Sequence, residues 1–396
     1  MNNILVLTNL YPAPDLEKEN TPVVHYFTRQ WKKMGYNVLV IHYPTNFPWI
    51  IMKIASLFKK QLSAMLPATI RTTPAKEFEY IIEGVSVKRI PLLKYKMHAQ
   101  FSSRRIKNAM NKTQCYLKEQ AFTPDVIVSH WANPTLDIAS RLKKIFNCKC
   151  VYVSHYAPEA MVYREDAIKY INDMDIIGFR SEPIKKSFLE LFDYKGKTFQ
   201  CYSGIPKNLI PDSPPCRSFN NIKNFVFVGT LIKRKYPAEI VPAVCDAMGN
   251  SQFNITYIGK GAEDRRINVY AKKFDVKDKI HFLGYVSREE VAKVLSESDI
   301  FIMNSKNEAF GLVYLEAMAQ GCLTIASKGE GFDGIIKDGF NGFLCKAGDI
   351  DDLANTIRRI KALTNEELLE ISKNAYLTAS ILTDENAAQM YIDEIC

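Results

Sequence analysis

The sequence predicts an α/β protein built from two Rossmann-like halves. Strand-like and helix-like segments alternate along the chain, and such alternation implies parallel sheets covered by helices on both faces. The chain has 396 residues, which is more than a single hydrophobic core usually supports. A proline-rich stretch at residues 206–223 is followed by a new strand, so we place the domain boundary there.

The elements follow in order from short apolar runs and helical periodicity. Residues 4–7 predict the opening strand, and residues 24–33 predict a helix that ends near Gly35. The strands expected before the boundary are residues 38–42, 125–129, 151–154 and 175–178. The strands expected after it are residues 225–228, 254–258, 280–282, 299–304 and 323–326. We therefore expect an N-terminal domain at 1–210, a C-terminal domain at 220–380 and a terminal helix at 381–396.

The composition excludes several classes of protein. A hydrophobic content of 47% and a charged content of 24% are ordinary for a soluble globular protein. No uninterrupted apolar run reaches the ~18 residues of a transmembrane helix, and the N-terminus does not resemble a signal peptide. The nine scattered cysteines then predict reduced thiols and a cytoplasmic location. Cys148 and Cys150 are typical of buried strand thiols rather than of a zinc site.

The net charge of +9 comes with basic residues concentrated in the first third of the chain. No nucleic-acid motif accompanies this charge, so we expect no nucleic-acid partner. Residues 46–75 combine aromatic and aliphatic side chains with lysines. Two interpretations stay open for this segment: a helix lying on an anionic membrane, or an insertion packed on the N-terminal domain. The first implies peripheral association with the inner face of the plasma membrane.

The most informative stretch of the chain is residues 305–321, SKNEAFGLVYLEAMAQG. Glu308 and Glu316 stand eight residues apart, and Gly311 between them marks the point where a loop becomes a helix at 312–320. Two glutamates at this spacing are usually solvated surface residues. Here apolar residues flank the second one, which makes a fully solvated position less natural.

The start of this helix is a candidate ligand site. The free N–H groups of Phe310, Gly311 and Leu312 are predicted to lie above the carboxyl end of a parallel sheet, where anionic ligands bind. Carboxylates in the same place suit hydroxyl groups instead. The combination predicts a ligand that has both phosphates and hydroxyls, which is a sugar nucleotide.

The stretch resembles the signature of the retaining family-4 glycosyltransferases of the GT-B fold, the group 1 glycosyltransferases. The residues that match are Ser305, Glu308, Phe310, Gly311, Glu316, Ala317, Ala319 and Gly321. The resemblance implies two Rossmann-like domains that face each other across a cleft, with a C-terminal helix crossing back to the N-terminal domain. It also implies that Glu308 contacts the donor sugar and that Glu316 holds the ribose hydroxyls.

A second segment resembles the glycine-then-basic loop of the same family. Gly229 precedes a basic run in which Arg234 and Lys235 are expected to neutralise the donor diphosphate. The sequence departs from the family pattern at Thr230, where arginine is frequent, and at Tyr236, where glycine is frequent.

Three further positions are carried by the resemblance. Gly259 lies in a G-x-G turn after the next strand, and Val286 is expected near the nucleobase. His130 ends a strand of the N-terminal half, where it is expected to face the cleft near the transferred sugar, although a structural histidine is the alternative.

The family's glycine-rich loop after the first strand has no glycine here, between residues 9 and 24. Asp173 and Asp175 form a D-x-D, for which we expect no metal role.

The resemblance implies a hexosyltransferase-type enzyme of surface polysaccharide biosynthesis, of the capsule, O-antigen or exopolysaccharide kind. It would move a sugar from a UDP- or GDP-linked donor to a lipid-linked or oligosaccharide acceptor, with no metal or other cofactor. His130, Glu308 and Lys235 are the candidate catalytic residues, and the leaving phosphate would assist attack from the same face. Two alternatives remain: a sugar-nucleotide epimerase of the same architecture, and a non-catalytic scaffold.

Overall fold

The structure, a computed structural model, describes residues 2–15, 23–57, 73–95, 100–155 and 169–396. Within these ranges an eight-stranded sheet lies before the proline-rich stretch and a six-stranded sheet after it. Each sheet carries helices, so the two domains have the Rossmann-like architecture that the alternating pattern predicts.

The N-terminal domain contains the first ten strands and five described helices. The strands are β1 (Asn3–Thr8), β2 (Asn37–His42), β3 (Thr45–Asn46), β4 (Phe78–Ile82), β5 (Val85–Arg89), β6 (Leu92–Leu93), β7 (Val126–His130), β8 (Lys149–Ser154), β9 (Ile176–Phe179) and β10 (Lys197–Gln200). The helices are α1 (Val23–Lys33), α2 (Trp49–Leu57), α3 (Ser103–Glu119), α4 (Thr135–Phe146) and α5 (Glu182–Leu191).

The large N-terminal sheet has the strand order β10-β9-β8-β7-β1-β2-β5-β4. Its described pairs are parallel except for β4 and β5, which are antiparallel. The prediction of purely parallel pairing is therefore wrong at this edge. Glu83 and Gly84 join the two strands with φ values of 46° and 80°, and a two-residue turn of this kind connects only antiparallel neighbours.

The C-terminal domain begins with a strand at Asn224 and ends with the helix that closes at Ile381. Its strands are β11 (Asn224–Val228), β12 (Asn254–Ile258), β13 (Ile280–Gly284), β14 (Ile300–Ile302), β15 (Leu323–Ser327) and β16 (Phe343–Cys345). Its helices are α6 (Ile240–Met248), α7 (Asp264–Lys273), α8 (Arg288–Glu297), α9 (Leu312–Ala319), α10 (Ile350–Ala362) and α11 (Asn365–Ile381), and α12 (Asp384–Ile395) follows them.

The C-terminal sheet has the strand order β13-β12-β11-β14-β15-β16, and its pairs are parallel. The chain winds outward from β11 in one direction and from β14 in the other. The carboxyl ends of β11 and β14 therefore form a topological switch point, where the loops diverge and leave a crevice. The loops after these two strands contain both of the motifs that the sequence singles out.

The last helix, α12, crosses back onto the N-terminal domain as the resemblance implies. The indole Nε1 of Trp31 donates to the carbonyl of Ala388 at 3.0 Å, and Arg29 forms an ion pair with Asp384 at 2.6 Å. The chain passes from α11 to α12 beside Gly204, where an added Cβ would lie 2.0 Å from the carbonyl oxygen of Thr383. Only glycine fits this crossing.

The ends of the segment at 46–75 are tied together. The Asn46 side chain donates to the carbonyl of Ala75 at 2.9 Å and accepts from its N–H at 2.8 Å. Helix α2 leaves Trp49 and Leu57 65% and 76% exposed, while residues 58–72 lie outside the described ranges. In the described part of the chain, no helix has both the length and the apolarity to cross a bilayer. Membrane association remains a prediction.

We predict that Tyr391 on α12 holds this helix in place. Its ring is 1% exposed and packs at centroid distances of 4.9 Å from Trp31 and 5.1 Å from Phe27. Tyr391→Ala should lower the free energy of unfolding by about 3–5 kcal/mol, because it removes a buried aromatic side chain. Urea denaturation followed by tryptophan fluorescence measures this, since Trp31 reports on the contact.

Two control variants accompany Tyr391→Ala. Tyr391→Phe keeps the ring and removes a buried hydroxyl that has no hydrogen-bond partner among the described residues, so its stability should equal or exceed that of the parent. Met390→Ala, at a neighbouring exposed position, should change the free energy of unfolding by less than about 0.5 kcal/mol. Equal losses in all three variants would contradict the assignment.

Candidate functional site at the switch point of the C-terminal sheet

The central motif forms the predicted strand–loop–helix unit. Strand β14 is fully buried, the loop 303–311 follows it, and α9 begins after Gly311. Gly311 has φ of 85°, and a Cβ there would lie 2.6 Å from the ring of Tyr314. Glycine at this position is therefore required by both backbone conformation and space. The N-terminus of α9 consequently lies at the carboxyl edge of the sheet.

Glu308 and Arg234 join the two predicted motifs. Nη1 of Arg234 lies 3.2 Å from Oε2 of Glu308, and the Glu308 side chain is only 13% exposed. Arg234 belongs to the loop after β11 and Glu308 to the loop after β14, so the pair spans the switch point itself. The structure thus brings together residues that are 74 positions apart in the chain.

Lys235 lies in a short 3₁₀ turn at Lys233–Lys235, beside Gly229. A Cβ on Gly229 would lie 2.8 Å from the ammonium nitrogen of Lys235, so the glycine makes room for the cation. Burial lowers the pKa of Lys235, and the nearby Glu308 carboxylate opposes that shift. Within the described ranges Lys235 forms no ion pair, in contrast to Arg234. Tyr236 takes φ of 49°, so the turn keeps a left-handed residue despite the missing glycine.

The glycine turns after β11 and β12 are packed against each other. A Cβ on Gly259 would lie 2.0 Å from the carbonyl oxygen of Gly229, and one on Gly261 would lie 2.2 Å from that of Leu231. The N–H of Gly259 donates to the carbonyl of Gly284 at 2.7 Å. Val286, two residues further, is half-buried against the C-terminal core. These contacts gather the predicted donor-binding turns along one edge.

Glu316 is held by an arginine that the sequence reading missed. Nε and Nη2 of Arg288 both donate to Oε1 of Glu316, at 2.8 and 2.5 Å. Nη1 of Arg288 approaches the hydroxyl of Tyr26 in α1 at 3.4 Å, so the pair also touches the N-terminal domain. The hydroxyl of Ser287 caps α8 just before Arg288, but no local sequence pattern links Arg288 to a glutamate 28 residues away.

Glu330 is a third carboxylate at the site, and it was also missed. Its Oε2 accepts from the N–H of Glu308 at 3.0 Å, while the carbonyl of Glu308 accepts from the N–H of Gly331 at 2.9 Å. Burial raises the pKa of Glu330, the backbone N–H groups of Glu308 and Asn307 lower it, and the Glu308 charge raises it. The segment after β15 therefore fixes the main chain of Glu308 through two hydrogen bonds.

Phe310 and Ala309 bring the motif into contact with the N-terminal domain. Phe310 is 3% exposed, lies 5.4 Å from the ring of Phe332 and has the guanidinium carbon of Arg180 5.1 Å from its centroid. Ala309 packs on the hydrophobic core of the N-terminal domain. The loop after β14 is thus the point where the two domains meet.

His130 does not open onto the cleft as we expected. Its ring is 0% exposed, and its Nδ1 lies 2.9 Å from Nε2 of His155. The ring of Trp131 stacks on His155 at 4.1 Å and covers this pair. Burial and the positive charge of Arg180 lower the pKa of His130 to about 3, so the ring is neutral at pH 7. The expected histidine is at the predicted strand end, but it is enclosed.

The D-x-D lies away from the site. Asp175 precedes β9 at its amino end, where it forms an ion pair with Lys143 at 2.6 Å, and Asp173 pairs with Lys144. Both carboxylates are therefore paired with lysines at the amino edge of the N-terminal sheet, in the other domain from the switch point. Among the residues that the structure describes, no group of three or more His, Cys, Asp or Glu side chains is arranged to hold a metal ion. The nine cysteines are free thiols.

Residues 216–378 match the family model described as "Glycosyl transferases group 1". The chain is 32% identical over 146 residues to the N-acetyl-alpha-D-glucosaminyl L-malate synthase of Bacillus anthracis, covering 37% of each protein. It is 31% identical over 156 residues to the Escherichia coli protein "UDP-Gal:alpha-D-GlcNAc-diphosphoundecaprenol alpha-1,3-galactosyltransferase", covering 38% of this chain and 39% of that protein. The matches thus span little more than a third of these two relatives.

Two solved structures share the fold over nearly the whole chain. A glycosyltransferase from Rickettsia africae superposes with a TM-score of 0.70 at 15% identity, covering 99% of this chain and 97% of that one. Anabaena HepE in complex with UDP-glucose superposes with a TM-score of 0.65 at 18% identity, covering 99% of both chains. The similarity is of overall architecture, with both domains and the crossing helix included.

We predict that Glu330 gives the protein a pH-dependent stability. Because its pKa is raised in the folded state, folding favours the protonated form, and this contribution is present below the ordinary glutamate pKa. It is lost as the pH rises through the raised value. Glu330→Gln is neutral at every pH and should therefore gain stability relative to the parent protein between pH 4.5 and pH 8.

Urea midpoints measured across that pH range test the prediction. The matched control is Glu370→Gln, which removes an exposed glutamate from the solvent face of α11. Its stability difference from the parent should stay nearly constant with pH. A flat difference for Glu330→Gln as well would show that the raised pKa is wrong.

Proposed function

We propose that the chain is a retaining glycosyltransferase of the group 1 family, because residues 216–378 match the model of that family and the chain has the GT-B fold. It takes a sugar from a nucleotide-sugar donor and transfers it to a glycan acceptor. The observation that supports this most directly is the convergence of Glu308, Arg234 and Lys235 at the β11/β14 switch point. A carboxylate for sugar hydroxyls and cations for phosphates stand together there.

The cations are suited to the leaving diphosphate. As the bond from the sugar to the phosphate breaks, negative charge develops on the phosphate oxygens and must be stabilised. Lys235 has no carboxylate partner among the described residues, and Arg234 has donors beyond the one it gives to Glu308. Gly229, Gly259 and the N–H groups of Phe310, Gly311 and Leu312 line the same edge. The proposed reaction needs no metal, because these groups supply the charge.

Glu316 is suited to the ribose of the nucleotide. The two Arg288 donors that reach Glu316, Nε and Nη2, both go to Oε1, and Oε2 has no hydrogen-bond partner in the part of the chain that the structure describes. A carboxylate oxygen that is fixed in place and still unoccupied accepts hydrogen bonds from vicinal hydroxyls. Val286 lies after β13, next to the turn of Gly259 on the same edge, and would contact the base. Calorimetry with UDP and with GDP distinguishes uracil from guanine as the base.

His130 would contribute as a neutral group. With its pKa lowered to about 3, the imidazole is uncharged at pH 7. Because the ring is enclosed in this structure, it would donate or accept a hydrogen bond toward a hydroxyl only after the domains part. We assign no covalent nucleophile: the leaving phosphate removes the proton of the attacking hydroxyl on the same face of the sugar, which retains the configuration. Glu308 positions the donor sugar in this scheme.

The acceptor is proposed to be lipid-linked, and the reaction to belong to surface polysaccharide biosynthesis. The E. coli relative is named for a diphosphoundecaprenol-linked acceptor, and a Rhizobium meliloti relative for lipopolysaccharide core biosynthesis. Helix α2 presents exposed Trp49, Ile50, Ile54 and Leu57, which suit a peripheral site on an anionic membrane at the cytoplasmic face. An oligosaccharide acceptor in solution is the alternative.

Product analysis separates the proposal from its alternatives. A glycosyltransferase releases nucleotide only when acceptor is present, whereas an epimerase converts the donor without one. A scaffold binds neither UDP nor GDP in a calorimetric titration. Calorimetry with both nucleotides followed by a donor screen is therefore the first experiment.

We predict that Glu316→Ala weakens nucleotide binding. Loss of a charged acceptor for the ribose hydroxyls should raise the Kd of the preferred nucleotide by roughly 10- to 100-fold. Glu370→Ala on the exposed face of α11 removes the same side chain elsewhere and should leave the Kd unchanged. Titration calorimetry measures both. Unchanged affinity in Glu316→Ala would remove Glu316 from the nucleotide site.

We predict that Lys235→Ala acts on the chemical step. The variant should lower kcat by roughly 10²- to 10³-fold, because a preorganised cation toward the leaving diphosphate is lost. Lys233→Ala, an exposed lysine of the same turn, is the control and should retain activity within a few-fold. If Lys235→Ala instead raises KM and leaves kcat unchanged, the lysine acts in ground-state binding of the donor. Steady-state kinetics with saturating acceptor distinguish these results.

A further inference from the structure

Three basic or protonatable side chains follow one another along the carboxyl edge of the N-terminal sheet. His130 is the last residue of β7, His155 is the first residue after β8, and Arg180 is the first after β9. Ser154 is in register with Phe179, so His155 and Arg180 stand at the same level on adjacent strands. Strand spacing puts their backbones about 4.8 Å apart. This edge faces the C-terminal domain, where Phe310 covers Arg180.

Arg180 is buried, and within residues 2–15, 23–57, 73–95, 100–155 and 169–396 it has no counter-ion. It is 3% exposed, its Nη1 donates to the carbonyl of Cys201 at 2.8 Å, and its Nη2 donates to the hydroxyl of Ser203. Both acceptors are neutral. No carboxylate of the described ranges pairs with it. Burial accordingly lowers the pKa of Arg180, and only a cysteine and a tyrosine oppose that shift.

Arg89 shows how the same chain treats another buried arginine. It is 0% exposed, and its Nη1 and Nη2 bind the two carboxylate oxygens of Asp15 at 2.5 and 2.7 Å. A two-pronged pair of this kind compensates for removing the guanidinium from water. Arg180 is also buried and lacks such a partner in the part of the chain that the structure describes, so an anion is the group that its described environment is missing.

His130 supplies a second observation that points to a ligand. Its Nε2 is buried and has no hydrogen-bond partner among the described residues, although its Nδ1 is bonded to His155. A buried polar atom without a partner is costly, and such atoms are rare in folded proteins. The free nitrogen belongs to the same row of strand ends as the uncompensated guanidinium.

We propose that Arg180 and Nε2 of His130 form a binding site for an anionic group, a phosphate or a carboxylate, carried by the acceptor. The site is on the N-terminal sheet, whereas Arg234 and Lys235, which suit the donor diphosphate, are on the C-terminal sheet. The anion reaches Arg180 when the domains part and Phe310 moves off the guanidinium. This inference rests on the proposed transferase function, because it takes the donor site to be the C-terminal one.

The test is a calorimetric titration of the full chain with inorganic phosphate, and separately with acetate, at constant ionic strength. Each titration is run with and without saturating UDP, so that the donor diphosphate site is filled in one arm. The wild type should bind one anion in the presence of UDP. Arg180→Gln should weaken that binding by roughly 10- to 100-fold, and Arg180→Lys by less. Lys186→Gln, an exposed residue of α5, should bind like the wild type.

A third arm identifies the source of the anion. If the anion is part of the donor sugar, Arg180→Gln weakens binding of UDP-glucuronic acid but not of UDP-glucose, and the acceptor assignment is overturned. Anion binding that disappears when UDP is added belongs to the donor site, and this result also overturns the proposal. Equal anion affinity in Arg180→Gln and the wild type overturns it as well. The UDP affinity of each variant shows that it is folded. Failure of UDP itself to bind contradicts the proposed function, while the titration without UDP still tests Arg180.

Discussion

The site depends on backbone segments approaching one another more closely than side chains allow. At the carboxyl edge of the C-terminal sheet, a Cβ on Gly259 would lie 2.0 Å from the Gly229 carbonyl, and one on Gly331 would lie 2.4 Å from that of Glu308. These contacts fix the loops after β11, β12, β14 and β15 relative to each other. Because the loops are fixed by main chain, the side chains they carry are positioned with little freedom.

The two domains meet at the same loops. Phe310 and Ala309 of the motif contact Arg180 and the N-terminal core, and Arg288 reaches Tyr26 on α1. Helix α12 makes a second connection, because the carbonyl of Ala388 accepts a hydrogen bond from the indole of Trp31. A change in the angle between the domains therefore alters the surroundings of Arg180, Phe310 and Glu316 together. The groups proposed to bind donor and acceptor are therefore connected through the loop after β14.

The strands and two of the site loops were predictable from the sequence. The long-range partners of the site residues were not, and the physical reasons can be given. The strands singled out lie within two residues of their predicted ends, because buried parallel strands are short apolar runs. The loop of Glu308 and the turn of Lys235 could be predicted as loops because each contains a glycine at a fixed spacing from the charged residues. Arg288 and Glu330 were missed because their partners are 28 and 22 residues away and no local pattern records such pairing. The enclosure of His130 depends on Trp131 and His155, which only tertiary packing brings over it.

The pairing of charges gives a physical basis for separate hydroxyl and phosphate positions in the proposed donor site. Glu308 and Glu316 are each 13% exposed, and each is already bound by an arginine from another element. An ion pair of this kind compensates for burial of the carboxylate and leaves further oxygen lone pairs available. A neutral hydroxyl can use those without displacing the arginine, whereas a phosphate is repelled. Lys235 has no ion-pair partner in the described ranges, so its charge is the one that an incoming phosphate meets. In the proposed donor site, the separate sugar, ribose and diphosphate positions would therefore follow from which charges the protein has paired with each other.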